Sequence, residues 1–315
     1  MPHFDVVGAL RRSVIAVAPL ARRSDLTIDR AQNARLLAHL RSGQVRTFMY
    51  GGNANLYHMG LTEFTELLAL CADLALEGDW FIPSVGSDYG KALDQLRILR
   101  SAMFPTAMVL PHRFPSTPSG FASGLRRLAD AYGRPLIAYV KDDGAVDPLD
   151  LARLVDDGAV CAIKYAIVRE NPLEDRFLAE LLALVDPSVV ISGIGERPVI
   201  DHWTRFGLRA FTSGSVCVAP ARSNAIREAL ARGDIDTARA LREAFLPLED
   251  LRDAHSPIRV IHEAVRLAGI ADTGPMQPYL DNLRDENILV ALEHAARALL
   301  AANDHVAAEE QLENA

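Results

Sequence analysis

The stretch AVCAIKY, Ala159–Tyr165, is a short apolar run that carries a single lysine, Lys164, near its end. Continuous apolar runs of this length are typical of strands that are buried on both faces of a parallel sheet. Similar runs recur along the chain, and each is bounded by Gly, Pro, Asp or Ser. The eight runs, in chain order, are Val14–Ala18, Val45–Tyr50, Trp80–Val85, Ala107–Pro111, Leu136–Val140, Ala159–Tyr165, Val189–Ser192 and Ala210–Ser213.

Amphipathic segments separate the apolar runs. In segments such as Glu63–Leu76, Phe121–Tyr132 and Pro148–Val155, apolar residues recur at the spacing of one helix face. Strand and helix therefore alternate eight times, and no linker interrupts the middle of the chain. This alternation predicts a (β/α)8 TIM barrel. A doubly wound parallel sheet is the alternative that the pattern leaves open.

The pattern changes to helices alone after Pro220. Four helical segments follow, and the first of them completes the barrel, so we expect a barrel domain over residues 1–232. The other three form a small C-terminal helical domain over residues 233–302, with one helix predicted at Ile235–Leu251. Residues 303–315 are polar and acidic, which predicts a frayed tail.

Composition excludes several classes of partner. The formal net charge is -8, from 33 basic and 41 acidic residues. Binding to nucleic acid needs a basic patch, and the sequence has none, so no nucleic-acid partner is expected. No apolar run approaches the ~20 residues of a membrane helix, and residues 1–12 lack the layout of a secretion signal. Three widely separated cysteines do not form a disulfide framework. We therefore expect a cytoplasmic protein with no membrane partner. The nine histidines form no metal-binding motif, so no metal is predicted.

Lysine is rare in this chain, which draws attention to where it occurs. Lys91, Lys141 and Lys164 are the only lysines among the 33 basic residues. Lys164 lies near the C-terminal end of the sixth predicted strand, and barrel active sites lie at that end of the strands. Burial lowers the pKa of an amine, and a neutral amine can form a Schiff base with a ketone. The alternative is a structural lysine paired with a carboxylate at the barrel rim.

Other candidate residues lie near the ends of neighbouring strands. Tyr139 nearly ends the fifth run, where its phenol could pass a proton to a reacting group or could simply pack at the edge of the core. The Gly51–Asn55 loop follows the second run, and successive N–H groups there could hold a carboxylate. Gly193 follows the seventh run, where barrels often bind phosphate. The glycines that follow the second run and those that follow the seventh run could also form ordinary turns.

Together these features resemble the dihydrodipicolinate synthase and N-acetylneuraminate lyase family of Schiff-base aldolases and dehydratases. The resemblance is carried by Ile163–Ala166, Tyr139, Gly51–Asn55 and the connections His255–Ile258 and Gly274–Pro278. It covers the chain from about residue 13 to residue 302. It implies a barrel with a small helical domain that assembles as a homo-oligomer, either a dimer or a tetramer. Its substrate would be pyruvate or a sugar-derived 2-keto acid, with no metal or organic cofactor.

The resemblance also implies a role for each candidate residue. Lys164 would form the imine, and Tyr139 would carry a proton to or from the substrate hydroxyl. The remaining candidates would bind substrate: Gly52 and Asn53 at its carboxylate, His112 and Arg113 at its distal end, and Gly193 after the seventh run.

The chain departs from the family pattern in residues tied to dihydrodipicolinate synthesis. Gly52 and Asn53 replace two hydroxyl residues, His112 and Arg113 follow the fourth run in place of a tyrosine, and Gly144 replaces an arginine. We therefore expect that reaction to be poor. The alternatives are aldol cleavage and dehydration of a keto-deoxy sugar acid, because residues 139–147 resemble the 5-dehydro-4-deoxyglucarate dehydratases. A relative that binds a keto acid without turnover is a third alternative.

Overall fold

Eight short parallel strands close into a barrel in sequence order, and the last strand pairs with the first. The structure is a computed structural model that describes residues 4–102, 104–112 and 114–313. Each predicted apolar run contains one strand, so the TIM barrel is confirmed and the doubly wound sheet is excluded. The strands are β1 Ile15–Ala16, β2 Thr47–Tyr50, β3 Trp80–Val85, β4 Met108–Val109, β5 Leu136–Val140, β6 Val160–Tyr165, β7 Val190–Ser192 and β8 Ala210–Ser213.

Helices cover the outside of the barrel, so the strands are buried from both sides. Ile82, Ile137 and Ile163 are fully buried, which explains why the strands are continuously apolar rather than alternating. A short helix precedes β1, and one helix follows each strand. These helices are α1 Val6–Arg11, α2 Arg30–Ser42, α3 Leu61–Leu74, α4 Tyr89–Leu99, α5 Pro118–Tyr132, α6 Pro148–Asp156, α7 Arg176–Leu182, α8 Val199–Phe206 and α9 Pro220–Arg232.

Four more helices follow the barrel: α10 Ile235–Glu243, α11 Leu246–Ala254, α12 Pro257–Leu267 and α13 Glu286–Glu313. The prediction of one helix over residues 235–251 was wrong, because the chain divides there into α10 and α11. Pro247 stands in the first turn of α11, where its missing N–H is tolerated, whereas it would break the interior of a longer helix. No helix in the described part of the chain is long and apolar enough to cross a membrane. The domain boundary at residue 232 stays a prediction.

The sequence predicts a frayed tail from residue 303, but the chain is helical there instead, because α13 continues through Glu313. Asn303 is only 4% exposed, and its Oδ1 accepts hydrogen bonds from the backbone N–H groups of Ala221 (2.8 Å) and Arg222 (3.2 Å). These groups lie at the N-terminus of α9, where backbone donors lack partners within the helix. The polar side chain that suggested a tail is therefore used to join α13 to the barrel.

Candidate active site

A cavity of about 340 Å³ lies at the C-terminal end of the barrel strands. It brings together five of the seven predicted site residues, although they are far apart in sequence. Residues that nearly end or directly follow β2, β5, β6 and β7 supply these groups. The five are Gly52, Asn53, Tyr139, Lys164 and Gly193.

Lys164 is buried in this cavity, with only 3% of its surface exposed. Its Nζ lies 4.4 Å from the centroid of the Tyr139 ring and 3.9 Å from the Sδ of Met49. Burial, together with the positive charges of Lys141 and Arg252, lowers the pKa of Lys164 to about 7. Within the described residues, no carboxylate forms an ion pair with this amine. The site therefore holds an amine that is substantially neutral near pH 7, as nucleophilic attack requires.

Tyr139 lies beside Lys164 because β5 and β6 pair these two residues directly in the sheet. Burial raises the pKa of the Tyr139 phenol well above its usual range, and the nearby Tyr57 raises it further. Tyr139 therefore carries its proton at neutral pH. A protonated phenol beside an amine can donate a proton to a substrate that is held on that amine.

Gly193 occupies a position where only glycine fits. A Cβ atom there would lie 2.6 Å from the carbonyl oxygen of Tyr165 and 3.0 Å from the Cγ of Lys164. The backbone N–H of Gly193 donates to that same carbonyl oxygen at 2.7 Å. The turn after β7 therefore packs against the stem of the lysine and limits where its amine can go.

The loop Gly51–Asn55 leads into a short 3-10 helix, Leu56–His58, rather than directly into an α-helix. The Nδ2 of Asn53 donates to the carbonyl oxygen of Val17 at 2.7 Å, which fixes the amide across the loops that follow β1 and β2. Gly52 and Asn53 both line the cavity, and they follow β2, which lies opposite β6, the strand of Lys164, in the order of strands around the barrel.

His112 does not lie in the cavity of Lys164. It lines a neighbouring cavity of about 560 Å³ together with apolar residues of α5, including Phe121 and Leu125. A ring nitrogen of His112, Nε2, lies 3.2 Å from the carbonyl oxygen of Pro115, and Nδ1 lies 3.9 Å from Asp88. Arg113, the other residue predicted at the distal end of the substrate, falls outside the described residues.

The structure adds cavity residues that the sequence analysis missed. Tyr57, Lys141, Arg252 and Asp253 all line the cavity. Arg252 and Asp253 belong to α11, which begins more than 30 residues after the end of β8, the last strand of the barrel. Their role could not be found from sequence, because the spacing of residues within a helix does not say which loops the helix covers.

A buried acidic cluster lies next to this cavity. The carboxylate of Glu196 accepts hydrogen bonds from Ser213 (2.8 Å) and Ser223 (2.6 Å), and Glu249 accepts from Ser215 and Arg252. Burial, together with the charge of Glu249, raises the pKa of Glu196 to about 7. In the parts of the chain that the structure describes, no three His, Cys, Asp or Glu side chains are grouped as metal ligands.

Comparison with known proteins gives a consistent result. A model of the dihydrodipicolinate synthetase family matches residues 96–294. The chain is 26% identical over 262 residues to a protein of Cereibacter sphaeroides named probable 5-dehydro-4-deoxyglucarate dehydratase, covering 79% of this chain and 84% of that one.

Solved structures agree in fold. A dihydrodipicolinate synthase from Bacillus clausii superposes with a TM-score of 0.81 at 21% identity, covering 94% of this chain and 99% of that one. YagE from Escherichia coli K12, a prophage protein of the dihydrodipicolinic acid synthase family in complex with pyruvate, superposes with a TM-score of 0.79 at 17% identity. That comparison covers 91% of this chain and 98% of YagE.

Proposed function

Because this chain belongs to the dihydrodipicolinate synthetase family, we propose that it is a class I lyase that binds a 2-keto acid as an imine of Lys164. The observation that carries the proposal is the amine of Lys164, which is enclosed in a cavity beside Tyr139 and has a pKa of about 7. A surface lysine would be almost fully protonated at neutral pH and could not attack a ketone efficiently.

The proposed reaction begins when the neutral amine attacks the keto carbon. The carbonyl oxygen leaves as water, and a C=N bond joins the substrate to Lys164. The protonated imine withdraws electrons from the adjacent carbons and so supplies the electron sink that the reaction needs. Backbone groups of Gly52, together with Asn53, would receive the substrate carboxylate, a role supported by the position of both residues in the lining of the same cavity.

Tyr139 has the role of proton carrier at the β-hydroxyl of the substrate. In aldol cleavage, Tyr139 first gives its proton as the protonated imine forms and water leaves, and the phenolate then takes the hydroxyl proton as the bond between the α- and β-carbons breaks. In dehydration Tyr139 gives a proton to the hydroxyl, which leaves as water after a proton is removed from the α-carbon. Both reactions use the same imine, and a phenol that is protonated at rest suits the donation step.

Dehydration of a keto-deoxy sugar acid is the more specific candidate, because the relative from Cereibacter sphaeroides carries the name of such an enzyme. The two reactions differ in their products. Aldol cleavage of a 2-keto-3-deoxy acid releases pyruvate, whereas dehydration does not. Incubation with candidate acids followed by an assay for pyruvate therefore distinguishes them.

Borohydride trapping tests the imine directly. Reduction in the presence of pyruvate should add the mass of the reduced adduct to the protein, and peptide mapping should place it on Lys164. Lys164→Arg should abolish the adduct. Lys91→Arg is the matched control, because Lys91 is also partly buried but donates to the carbonyl oxygens of Leu56 and Tyr57. An adduct that persists in Lys164→Arg would refute the assignment.

Turnover must be measured separately, since a protein that only binds keto acids could also form the imine. The retained pair of Lys164 and Tyr139 supports turnover over binding alone. We further propose that the protein acts in the cytoplasm as a homo-oligomer, a dimer or a tetramer, on a small 2-keto acid. Size-exclusion chromatography with light scattering tests the assembly.

A further inference from the structure

We propose that Arg252 of α11 binds a second carboxylate, so that the preferred substrate is a dicarboxylic 2-keto acid held between Arg252 and Lys164. The inference rests on the proposed imine at Lys164 and adds to it a residue that selects among keto acids.

Arg252 lines the cavity with most of its side chain buried, since only 13% is exposed. One of its terminal nitrogens, Nη1, donates to Oε1 of Glu249. Its Nε is buried and has no hydrogen-bond partner among the described residues. A guanidinium offers five N–H donors, so this single contact leaves donors to bind a planar anion.

The ion pair with Glu249 fixes the position of Arg252. Glu249 is itself held in place, because it is 1% exposed and also accepts a hydrogen bond from Ser215. Gly195 leaves room for this pair, because a Cβ atom there would lie 2.9 Å from Oε2 of Glu249 and 3.1 Å from Nη1 of Arg252. A charged group held in one orientation before binding loses little freedom when an anion arrives.

Free N–H donors, rather than net charge, are what Arg252 adds to the cavity, since its charge is already paired with that of Glu249. The charged lining residues of the cavity are Lys141, Lys164, Arg252 and Asp253. Asp253 is paired with Arg197, whose Nε lies 3.1 Å from its Oδ2. The positive charge of Arg252 also acts on both Lys164 and Tyr139, which shows that it lies within electrostatic range of the reacting groups. With one substrate carboxylate at the Gly52–Asn53 loop, the remaining N–H donors of Arg252 are left for a second carboxylate.

Trapping of matched pairs of keto acids tests the proposal in the unmodified protein. We compare 2-oxoglutarate with 2-oxopentanoate and 2-oxoadipate with 2-oxohexanoate, and measure the concentration that gives half-maximal borohydride adduct on Lys164. A charged hydrogen bond predicts that at least one dicarboxylate needs about a 10- to 100-fold lower concentration than its matched monocarboxylate. Equal concentrations within both pairs would overturn the proposal.

A substitution then assigns the preference to Arg252. Arg252→Gln should bring the ratio within each pair close to one. Arg239→Gln is the control, because Arg239 forms an ion pair of the same i,i+3 spacing with Asp236 but is exposed on α10. It should keep the ratio of the unmodified protein. A preference for the dicarboxylate that survives in Arg252→Gln would show that Arg252 only neutralises Glu249, and the proposal would fail.

Folding and the underlying function are controlled separately. If Arg252→Gln does not fold, the double variant E249Q/R252Q removes both members of the buried pair, and the same loss of preference is expected. If no keto acid, pyruvate included, forms an adduct with the unmodified protein, the imine is refuted. An adduct with pyruvate but no preference for dicarboxylates refutes only the role of Arg252.

Discussion

At the scale of single residues, the buried amine of Lys164 affects both stability and reactivity. Burial lowers its pKa from 10.5 to about 7, so the folded protein has to give up a proton that the unfolded chain would hold. This costs stability at neutral pH. The cost is the physical counterpart of the reactivity, because the same desolvation makes the amine nucleophilic.

Replacing Lys164 by Met should therefore stabilise the protein at pH 7. Between about pH 7 and pH 10.5 the unfolded wild-type chain binds more protons than the folded one, so wild-type stability should rise with pH in that window. We expect Lys164→Met to raise the free energy of unfolding by a few kcal/mol at pH 7. The gain should shrink as the pH approaches 10. Urea unfolding of both proteins across this range measures it, and a gain that does not depend on pH would contradict the lowered pKa.

Tyr139→Phe should separate proton transfer from imine formation. We expect kcat to fall by about 10²- to 10⁴-fold, the contribution of a positioned acid–base group, while pyruvate is still trapped on Lys164. Tyr132→Phe provides the control, because the Tyr132 hydroxyl donates to the carbonyl oxygen of Phe104 outside the cavity. That variant should lose ~1 kcal/mol of stability and keep its kcat. If Tyr139→Phe behaves in the same way as the control, Tyr139 is a packing residue.

At the scale of secondary-structure elements, the site depends on how neighbouring strands are aligned. The register between β5 and β6 places Tyr139 beside Lys164, and the turn after β7 lies against the lysine stem. Because the strands are short and parallel, a shift in register would move one of these side chains away from the other. The catalytic geometry is therefore a property of strand pairing as much as of the residues themselves.

Gly193→Ala tests the contact between this turn and Lys164. The added Cβ would lie 2.6 Å from the carbonyl oxygen of Tyr165, which is backbone and cannot rotate away. We expect a loss of ~1–3 kcal/mol in the free energy of unfolding and slower trapping of pyruvate. Gly124→Ala in α5 is the matched control, because no atom lies within 4 Å of its added Cβ. It should be neutral or slightly stabilising, since alanine favours the helix. Equal effects of the two substitutions would show that the turn tolerates a side chain.

At the scale of the whole molecule, the C-terminal helices complete the active-site end of the barrel and also tie back to its outer layer. The helix α11 supplies Arg252 to the cavity, and α13 supplies Asn303 to the N-terminus of α9. The helices after the barrel therefore contribute both to the site and to the packing that holds it.

Asn303→Ala should weaken the joint between α13 and the barrel. The substitution removes the acceptor for two backbone N–H groups and leaves them buried without a partner. We expect the free energy of unfolding to fall by ~1–3 kcal/mol. Asn287→Ala, at an exposed position of the same helix, should change it by less than about 0.5 kcal/mol. Thermal unfolding of the two variants measures the difference, and an unchanged Asn303→Ala would mean that the joint adds nothing to stability.

The sequence by itself determined the barrel, because strands buried on both faces leave continuous apolar runs, and each of the eight runs contains one strand. It also indicated Lys164 and Tyr139, since the end of a barrel strand is a position that can be counted along the chain. Only the tertiary structure placed His112 in a separate cavity, Arg252 in the candidate active site and Asn303 at the end of another helix. The physical reason is the separation in sequence over which each kind of interaction acts. Hydrophobic patterning acts between residues a few positions apart, whereas these three placements depend on packing between elements that are remote in sequence.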